Sequence, residues 1–480
     1  MAESFCAFHA RYQHLFVTRT RSVIAQSLHY LSGLMQAVSK NVERMIEVVP
    51  DTDYQALHHF ASISPWDHRP VMDQVALDCD RHLGGSPDTA LIIDETSIPK
   101  KGKKSVGVAR QWCGRLGKID NCQVGVFASL VRGASAALID ARLYLPKEWT
   151  EDQVRCKRAG VPDDVHFETK GELGLDIVHH ARALGLRFAW IGVDGGYGKD
   201  PRLLRTFDDE GELFVADVHK SQVIYPEDPA PSIPPRCSTR GRTPTRCTTN
   251  IPKLTVAQWA TNQPEQAWQR ISVRDATKGR LEVDILTQRV WVWLDDHSDV
   301  RQWHLIVRRE VAAQQTIKYS LCNAPAETTV ERLAFMQGQR YFVERSFQDA
   351  KGTVGLDHYQ TRGWRAWHHH MAMVMMATLF MLETRLAHEN EHPLLSCPDI
   401  VTLLAHFLPR RDITPEEVLR QMTVRHRQRQ DSIKCLSINK LLAIIAPLAN
   451  VPLKATQRRL KWHASKLGKF RMHSGRSSNR

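Results

Sequence analysis

The chain has 480 residues, 42% of them hydrophobic and 24% charged, a balance that excludes wholesale disorder and suits a globular protein of two or three domains. Its most apolar window, Met371–Leu382, is too short to cross a bilayer, and the residues after Met1 lack the apolar region of a signal peptide. The 10 cysteines form no CxxC pair and no zinc-type Cys/His spacing, which excludes the common zinc folds and indicates reduced thiols, as in the cytosol.

The formal net charge of +13 is concentrated in two segments. Residues 99–118 hold seven Lys or Arg and no acid, and residues 454–480 hold nine and no acid, which leaves the rest of the chain close to neutral. Such concentrated charge beside a near-neutral body indicates a nucleic-acid partner. A membrane surface is the weaker alternative, because neither segment reads as an amphipathic helix with a broad apolar face.

Helical periodicity dominates the beginning of the chain. Apolar residues recur at helical spacing from Ile24 to Val38 and from Val42 to Val49, and a further helix is expected over about Pro70–Leu83. The Gly84–Pro87 segment then breaks the pattern. We therefore predict a helical N-terminal domain over residues 1–86 that binds DNA or mediates dimerisation.

After this break the pattern changes to that of a sheet with helices. The predicted elements, in order, are strands Ala90–Asp94, Val124–Val131 and Ala137–Leu145, helix Glu172–Leu184, strand Phe188–Val193, helix Asp200–Asp209 and strand Leu213–Val218. Three antiparallel strands followed by helix-linked strands imply a mixed α/β sheet with helices on its faces.

The second half of the chain is predicted to contain a linker, more strands and two long helices. A Pro-, Ser-, Thr- and Arg-rich segment at Pro226–Pro252 precedes strand-like runs at 268–273, 281–286, 290–294, 303–307 and 317–321. Helices are expected over about Thr328–Lys351 and Arg362–His388. The predicted segments are 1–86, 87–222, a β-rich insertion at 223–326, 327–395, and a basic helical C-terminal region at 396–480.

Two acids, Asp94 and Asp194, directly follow apolar strands. The C-terminal ends of adjacent parallel strands meet at one edge of a sheet, the usual place for an active site. A two-metal centre needs carboxylates that flank and bridge the ions, and one more acid from elsewhere. We therefore expect Asp94 and Asp194 to lie side by side as metal ligands.

The helix over Thr328–Lys351 can supply the third acid. At about 100° per residue, Arg340, Glu344 and Lys351 share one face, whereas Asp349 lies on the opposite one. The alternative is an i,i+4 Arg340–Glu344 pair on a solvated helix. Phe347 on the same face favours partial burial.

A cationic loop follows Asp94 directly. Its first basic residues are Lys100, Lys101, Lys103, Lys104 and Arg110. Beside a carboxylate that holds a hard cation, these side chains would hold the phosphates of a polyanion. A solvated, lysine-rich surface loop is the alternative.

Asp94, Asp194 and Glu344, with a β-rich insertion before the glutamate helix, resemble the DDE transposases, which have an RNase H-like core. Arg340, Glu344 and Lys351 match the R-x3-E-x6-K part of the signature of cut-and-paste insertion-sequence transposases that form hairpins. The segments DETSIPKKGKKSVGVARQWCGRLGKIDNCQVGV, DGGYG, GLDHYQTRGWRAWHHHMAM, HYLSGLM and HHFASISPWD also resemble one bacterial insertion-sequence group. Together they cover most of the chain.

This resemblance implies an RNase H-like mixed sheet and DNA cleavage at the ends of a mobile element, by an enzyme of the bacterial cytoplasm. Mg²⁺, or Mn²⁺ in its place, would be held by Asp94, Asp194 and Glu344 and would activate water and then a 3′-hydroxyl. The partners would be double-stranded DNA, both element ends and target, and a second copy of the chain. No membrane partner is implied.

The resemblance also implies roles for side chains around the carboxylates. Arg340 and Lys351 would bind phosphates near the cleaved strand, and the basic loop would follow the DNA backbone. Related enzymes stack an aromatic of the insertion on a flipped base, for which Trp303 and Tyr319 are candidates. Both could equally be core residues of strands.

The chain departs from the family signature at one position. The tyrosine expected three residues before the arginine is Gln337, which puts the hairpin route in doubt but leaves the metal site untouched. Two other interpretations of the sequence are a domesticated relative that binds DNA without cutting it, and an RNase H-like nuclease of RNA. The insertion and the Arg340/Lys351 pair argue against the RNA nuclease.

Overall fold

The computed structural model describes residues 1–236, 244–276, 279–293, 299–311 and 313–448. Residues Met1–Arg410 form one compact unit, and the described residues 411–448 belong to a second. The basic segment 454–480, part of the predicted linker and Leu294 lie outside the described residues. No helix in the described part is long and apolar enough to cross a membrane.

Helices fill the first part of the chain, as the periodicity predicts. They are α1 (Ala2–Ala10), α2 (Ile24–Gln36), α3 (Val42–Val48), α4 (Tyr54–Ser62) and α5 (His68–Leu83), with a 3-10 turn at Gln13–Phe16. Side chains of Asn41, Asp53 and Asp67 accept backbone N–H bonds at the starts of α3, α4 and α5. These caps satisfy amides that have no partner inside the helix, which fixes where each helix begins.

A ten-stranded mixed sheet forms the centre of the first unit. Its strands are β1 (Ala90–Pro99), β2 (Ala109–Cys113), β3 (Lys118–Arg132), β4 (Ser135–Leu143), β5 (Trp190–Val193), β6 (Phe214–Val218), and, after the two-stranded ribbon β7 (Val223–Ile224) and β8 (Leu254–Thr255), β9 (Gln269–Ala276), β10 (Gly279–Trp293), β11 (Val300–Glu310) and β12 (Ala313–Cys322). The order is β2-β3-β1-β5-β6-β12-β11-β10-β9, with β4 on β3. The β1–β5 and β5–β6 pairs are parallel, and the other pairs are antiparallel.

The structure corrects two details of the predicted sheet. β1 does not stop at Asp94 but continues to Pro99, because the long strand β3 pairs with its whole length, to Pro99↔Cys122. The predicted cationic loop contains the strand β2 and a 3-10 turn at Gly114–Leu116. Asp94 therefore lies inside β1, at the point where its parallel neighbour β5 ends.

The strands of the predicted insertion continue this sheet. β12 pairs with β6 from Tyr319↔Val218 to Cys322↔Val215, and β11, β10 and β9 follow it outward. The runs predicted at 281–286 and 290–294 belong to the single strand β10. The predicted segment boundaries remain a prediction, but the strands from both segments share one sheet.

Helices lie between and after these strands. Their bounds are α6 (Lys147–Thr150), α7 (Gln153–Ala159), α8 (Lys170–Ala183), α9 (Gly195–Gly198), α10 (Pro201–Asp209), α11 (Val256–Thr261), a 3-10 turn at Glu265–Ala267, α12 (Val330–Gln339), α13 (Tyr341–Gly352), α14 (Trp364–Ala387), α15 (Cys397–Phe407) and α16 (Pro415–Leu448). α16 is in the second unit. The mixed sheet with flanking helices confirms the predicted fold class.

α14 is the central helix of the core. It packs against β4 and the helices α2, α4 and α5, so its apolar window Met371–Leu382 is almost entirely buried. Its histidines are also buried: the Tyr30 hydroxyl is 2.8 Å from His370 Nδ1, and His369 Nε2 is 2.9 Å from the Trp66 carbonyl oxygen. These contacts join α14 to the N-terminal helices and give the histidines a structural role.

Candidate active site

Asp94 and Asp194 are brought together by the parallel pairing of β1 and β5. Ile93 and Val193 are the last paired residues, so the two acids follow at the same edge of adjacent strands, which lie about 4.8 Å apart. Asp194 Oδ1 accepts N–H bonds from Gly196 at 2.9 Å and Tyr197 at 3.3 Å, as the cap of α9. The predicted convergence of these two carboxylates is therefore present.

The glycines after Asp194 allow α9 to lie directly on β6. A Cβ atom at Gly198 would stand 2.0 Å from the backbone oxygen of Asp217, whereas one at Gly195 would be 3.7 Å away. Only a residue without a side chain fits at Gly198 without a shift of backbone. The DGGYG segment thus fixes Asp194 against the sheet.

Asp94 is buried beside this second carboxylate. It is 9% exposed, and its Oδ1 accepts the Glu95 N–H at 2.7 Å. Burial, and next the charge of Asp194, raise the pKa of Asp94 to about 7, although Arg340 and the Glu95 amide act in the opposite direction. A buried carboxylate beside a second, half-buried one is an environment that favours a bound cation.

Arg340 supplies the positive charge in this structure. It stands at the junction of α12 and α13, with Nε 2.8 Å from Asp217 Oδ2, Nη2 3.2 Å from Glu344 Oε1 and Nη1 3.6 Å from Asp94 Oδ2. Burial lowers the pKa of Arg340, but the surrounding carboxylates, Asp217 first, outweigh it and raise that pKa. The guanidinium therefore joins the strand acids to the glutamate helix.

Asp217 is a fourth acid that the sequence analysis missed. Its Oδ1 accepts a bond from Ser320 Oγ at 2.6 Å, and Ser320 Oγ in turn accepts a bond from Gln337 Nε2 at 2.8 Å. Asp217 lies near the C-terminal end of β6, which is parallel to β5. Because it lies inside the strand predicted at Leu213–Val218 and not directly after it, the rule that selected Asp94 and Asp194 passed over it. Gln337 is 5% exposed and supports this chain of bonds from inside the protein.

The single helix predicted over Thr328–Lys351 is two helices, α12 and α13, which meet at Arg340. Arg340 and Glu344 nevertheless lie side by side across this junction, paired at 3.2 Å. The Glu344 side chain is 55% exposed, whereas Phe347 on the same face is 7% exposed. Lys351 Nζ donates to Thr96 Oγ1 of β1 at 2.5 Å, and burial is the main cause that lowers its pKa. Asp349 lies on another face and pairs with Arg345 at 3.4 Å.

The carboxylates fit a hard divalent cation by their chemistry. Among the described residues, no three Asp, Glu, His or Cys side chains stand close enough together to hold a metal ion. Glu344 is bonded to Arg340 rather than placed beside the aspartates. The oxygen donors, however, are of the type that Mg²⁺ prefers, and a cation would offset the burial, and next the Asp194 charge, that raise the pKa of Asp94.

Residues around the carboxylates differ in exposure. Glu95 points away and pairs with Lys170 at 2.7 Å. Lys100 is half-buried, its Nζ 3.1 Å from the Tyr359 carbonyl oxygen and 3.8 Å from the centre of that ring, and burial lowers its pKa to about 8. The exposed basic residues of the segment include Lys101, Lys103, Lys104 and Arg110.

The two aromatic candidates occupy different environments. Trp303 is 2% exposed, its ring packs edge-on against Phe214, and its Nε1 donates to Asp208 at 3.3 Å, so it is a core residue here. Tyr319 is half-buried and lines a cavity of about 380 Å³ with Asp217 and Lys318. Tyr319 is therefore the more accessible of the two aromatic candidates.

Comparison with known proteins agrees with this geometry. Residues 12–280 match the family model described as DDE superfamily endonuclease. The chain is also 23% identical over 354 residues to a probable transposase for insertion sequence element IS701 from Microchaete diplosiphon, an alignment that covers 72% of this chain and 80% of that protein. Because the family model matches more than half of its residues, the chain belongs to the DDE superfamily endonucleases.

Proposed function

We propose that this chain is a DNA transposase that cleaves at the ends of an insertion sequence and joins them to target DNA. The observation that carries the proposal is the convergence of Asp94 and Asp194 opposite the Arg340–Glu344 face of α13. Its similarity to a probable transposase points the same way. Asp94, Asp194 and Glu344 would be the metal ligands, and the partner would be double-stranded DNA bound by a dimer.

A bound Mg²⁺, or Mn²⁺, would activate the attacking oxygen and neutralise charge on the scissile phosphate. Burial, and next the charge of Asp194, raise the pKa of Asp94 to about 7, and a bound cation would favour the charged form of this carboxylate. Arg340, bound to three acids in this structure, would turn part of its guanidinium toward a phosphate.

The other cations extend this binding surface. Lys351 Nζ is anchored by Thr96 beside Asp94 and would make a point contact with a phosphate. Lys101, Lys103, Lys104 and Arg110 are exposed and would follow the backbone, while half-buried Lys100 holds the segment against Tyr359. Tyr319 is the better placed of the two aromatics for stacking on a flipped base.

The test is excision from a supercoiled plasmid that carries the coding region with its native flanking DNA. We expect purified protein with Mg²⁺ to release a fragment bounded by terminal inverted repeats, and Asp94→Asn, Asp194→Asn and Glu344→Gln each to abolish this release. Glu95→Gln is the matched control, because Glu95 pairs with Lys170 and should be dispensable. Binding of the same DNA without any cleavage by the unaltered protein would favour a domesticated DNA-binding protein instead.

A further inference from the structure

A cleft of about 1000 Å³ lies between segments that the carboxylate site does not use. One wall is the end of α4 and the following turn, from Ser62 to His68. A second is the end of α7 with Lys157–Pro162, and the third is the start of α14 with Gln360–Arg365. None of the proposed metal ligands lines it.

The cleft is lined by more positive than negative charge. Lys157, Arg158, Arg362 and Arg365 are exposed, and within the described part of the chain none of them has a carboxylate partner. Asp67 is the one acid among the lining residues, and its Oδ1 is bonded to the Arg69 N–H as the cap of α5. Arg365 Nη1 donates to the Ile63 carbonyl oxygen at 3.3 Å. Four cations without a carboxylate partner among the described residues, all lining one cleft, favour a polyanionic ligand.

The remaining lining suits a sugar–phosphate chain. Gly363 is the N-cap of α14, a helix of 24 residues, and supplies no side-chain cap, so the first amides of this long helix suit a bound anion. A Cβ atom at Gly363 would meet the Ala159 carbonyl oxygen at 3.3 Å, which keeps the two walls close. Trp364 and Ile63, the latter 64% exposed, add apolar surface for sugars or bases.

The cleft is joined to the basic segment near the carboxylates. The Val106 N–H donates to the Arg362 carbonyl oxygen at 2.9 Å, and Lys100 Nζ donates to the Tyr359 carbonyl oxygen at 3.1 Å. The basic segment and the cleft wall are therefore held together by direct bonds. The exposed side chains of Lys101–Lys104 therefore belong to a segment that is bonded to the wall carrying Arg362.

We propose that this cleft binds the phosphodiester backbone of double-stranded DNA away from the cleaved phosphate. The inference rests on the proposed function, since it assumes that DNA is the substrate. It assigns to Lys157, Arg158, Arg362 and Arg365 a positioning role in which they contact phosphates and read no bases.

The test measures binding of a labelled 40-base-pair duplex by full-length protein across a range of salt concentrations. Each phosphate contact contributes about 0.9 to the slope of log K against log salt, so Lys157→Gln/Arg158→Gln and Arg362→Gln/Arg365→Gln should each lower it by up to about 1.8. Arg246→Gln/Lys253→Gln removes two exposed charges that lie outside the cleft and outside residues 1–86, and it should lower the slope by less than half as much.

A photocrosslinking residue at Ile63 gives a second readout that does not depend on removing charge. Light should attach the duplex at Ile63 in the cleft but not at Val38, which is 95% exposed and outside it. Unchanged slopes in both cleft variants and no crosslink at Ile63 overturn the inference. So does a crosslink at Ile63 that is lost when polyglutamate is added before irradiation but persists when competitor DNA is added instead. If the cleft variants bind normally while Asp94→Asn abolishes cleavage, only the cleft inference fails; if the unaltered protein binds no duplex, both proposals fail.

Discussion

Replacing Asp217 by Asn should slow DNA cleavage although Asp217 is not a proposed metal ligand. Its Oδ2 is the nearest carboxylate oxygen to Arg340, at 2.8 Å, against 3.2 Å for Glu344 and 3.6 Å for Asp94. Both partners are 17% exposed, so solvent screens this bond only partly. A hydrogen bond between charged groups contributes about 1.5–3 kcal/mol, and a loss of about 2 kcal/mol in the transition state corresponds to about 30-fold in rate.

The assay is the single-turnover rate of plasmid cleavage for Asp217→Asn, Arg340→Gln and the double variant. If Asp217 acts through Arg340, the double variant should be no slower than Arg340→Gln alone, which gives a coupling free energy of about 2 kcal/mol. Ser320→Ala, which removes only the neutral bond to Asp217 Oδ1, should have a smaller effect. Additive losses, or an unchanged rate in Asp217→Asn with normal thermal stability, would refute a positioning role.

Three further outcomes are expected. Burial lowers the pKa of His369 to about 3 and of His370 to about 4, so below the ordinary pKa near 6.5 the unfolded chain binds more protons than the folded one. Each of these two histidines should therefore lower the free energy of unfolding by about 2 kcal/mol between pH 7 and pH 5. Urea denaturation at both pH values measures this, and an equal midpoint at both would contradict it. Gly198→Ala should destabilise the fold by an overpacking cost of about 1–3 kcal/mol, seen as a lower melting temperature, and should impair cleavage. Gly195→Ala, whose Cβ would be in ordinary contact, should change both the melting temperature and the cleavage rate much less. Tyr319→Ala should weaken binding of element-end DNA about tenfold or more, whereas Tyr319→Phe, which keeps the ring, should not, as expected for base stacking. Equal affinities of Tyr319→Ala and the unaltered protein in a fluorescence binding assay would exclude that contact.

The convergence of Asp94 and Asp194 could be predicted because it follows from local signals. Each acid comes directly after an apolar run, and parallel neighbours place such positions at one edge. The side-by-side placement of Arg340 and Glu344 follows equally from helical geometry. These patterns depend on residues close in the sequence or on one rule of sheet topology.

The features that could not be predicted depend on long-range pairing. Glu95–Pro99 is polar enough to read as loop, and only the length of β3 keeps it in the sheet. Gln337 differs from the family tyrosine, yet its bond to Ser320 of a distant strand shows why a buried amide is accommodated there. Trp303 has the same strand pattern as Tyr319, and only the packing of Phe214 shows that it is a core residue.

The most direct test of the central claim is to locate the bound cation itself. Fe²⁺ in place of Mg²⁺, with ascorbate and peroxide, produces hydroxyl radicals that cut the backbone next to the metal. The account predicts fragments that end near residues 94, 194 and 344, suppressed by excess Mg²⁺ and absent in Asp94→Asn. Cuts elsewhere, or the same cuts in Asp94→Asn, would contradict a metal centre formed by these three acids.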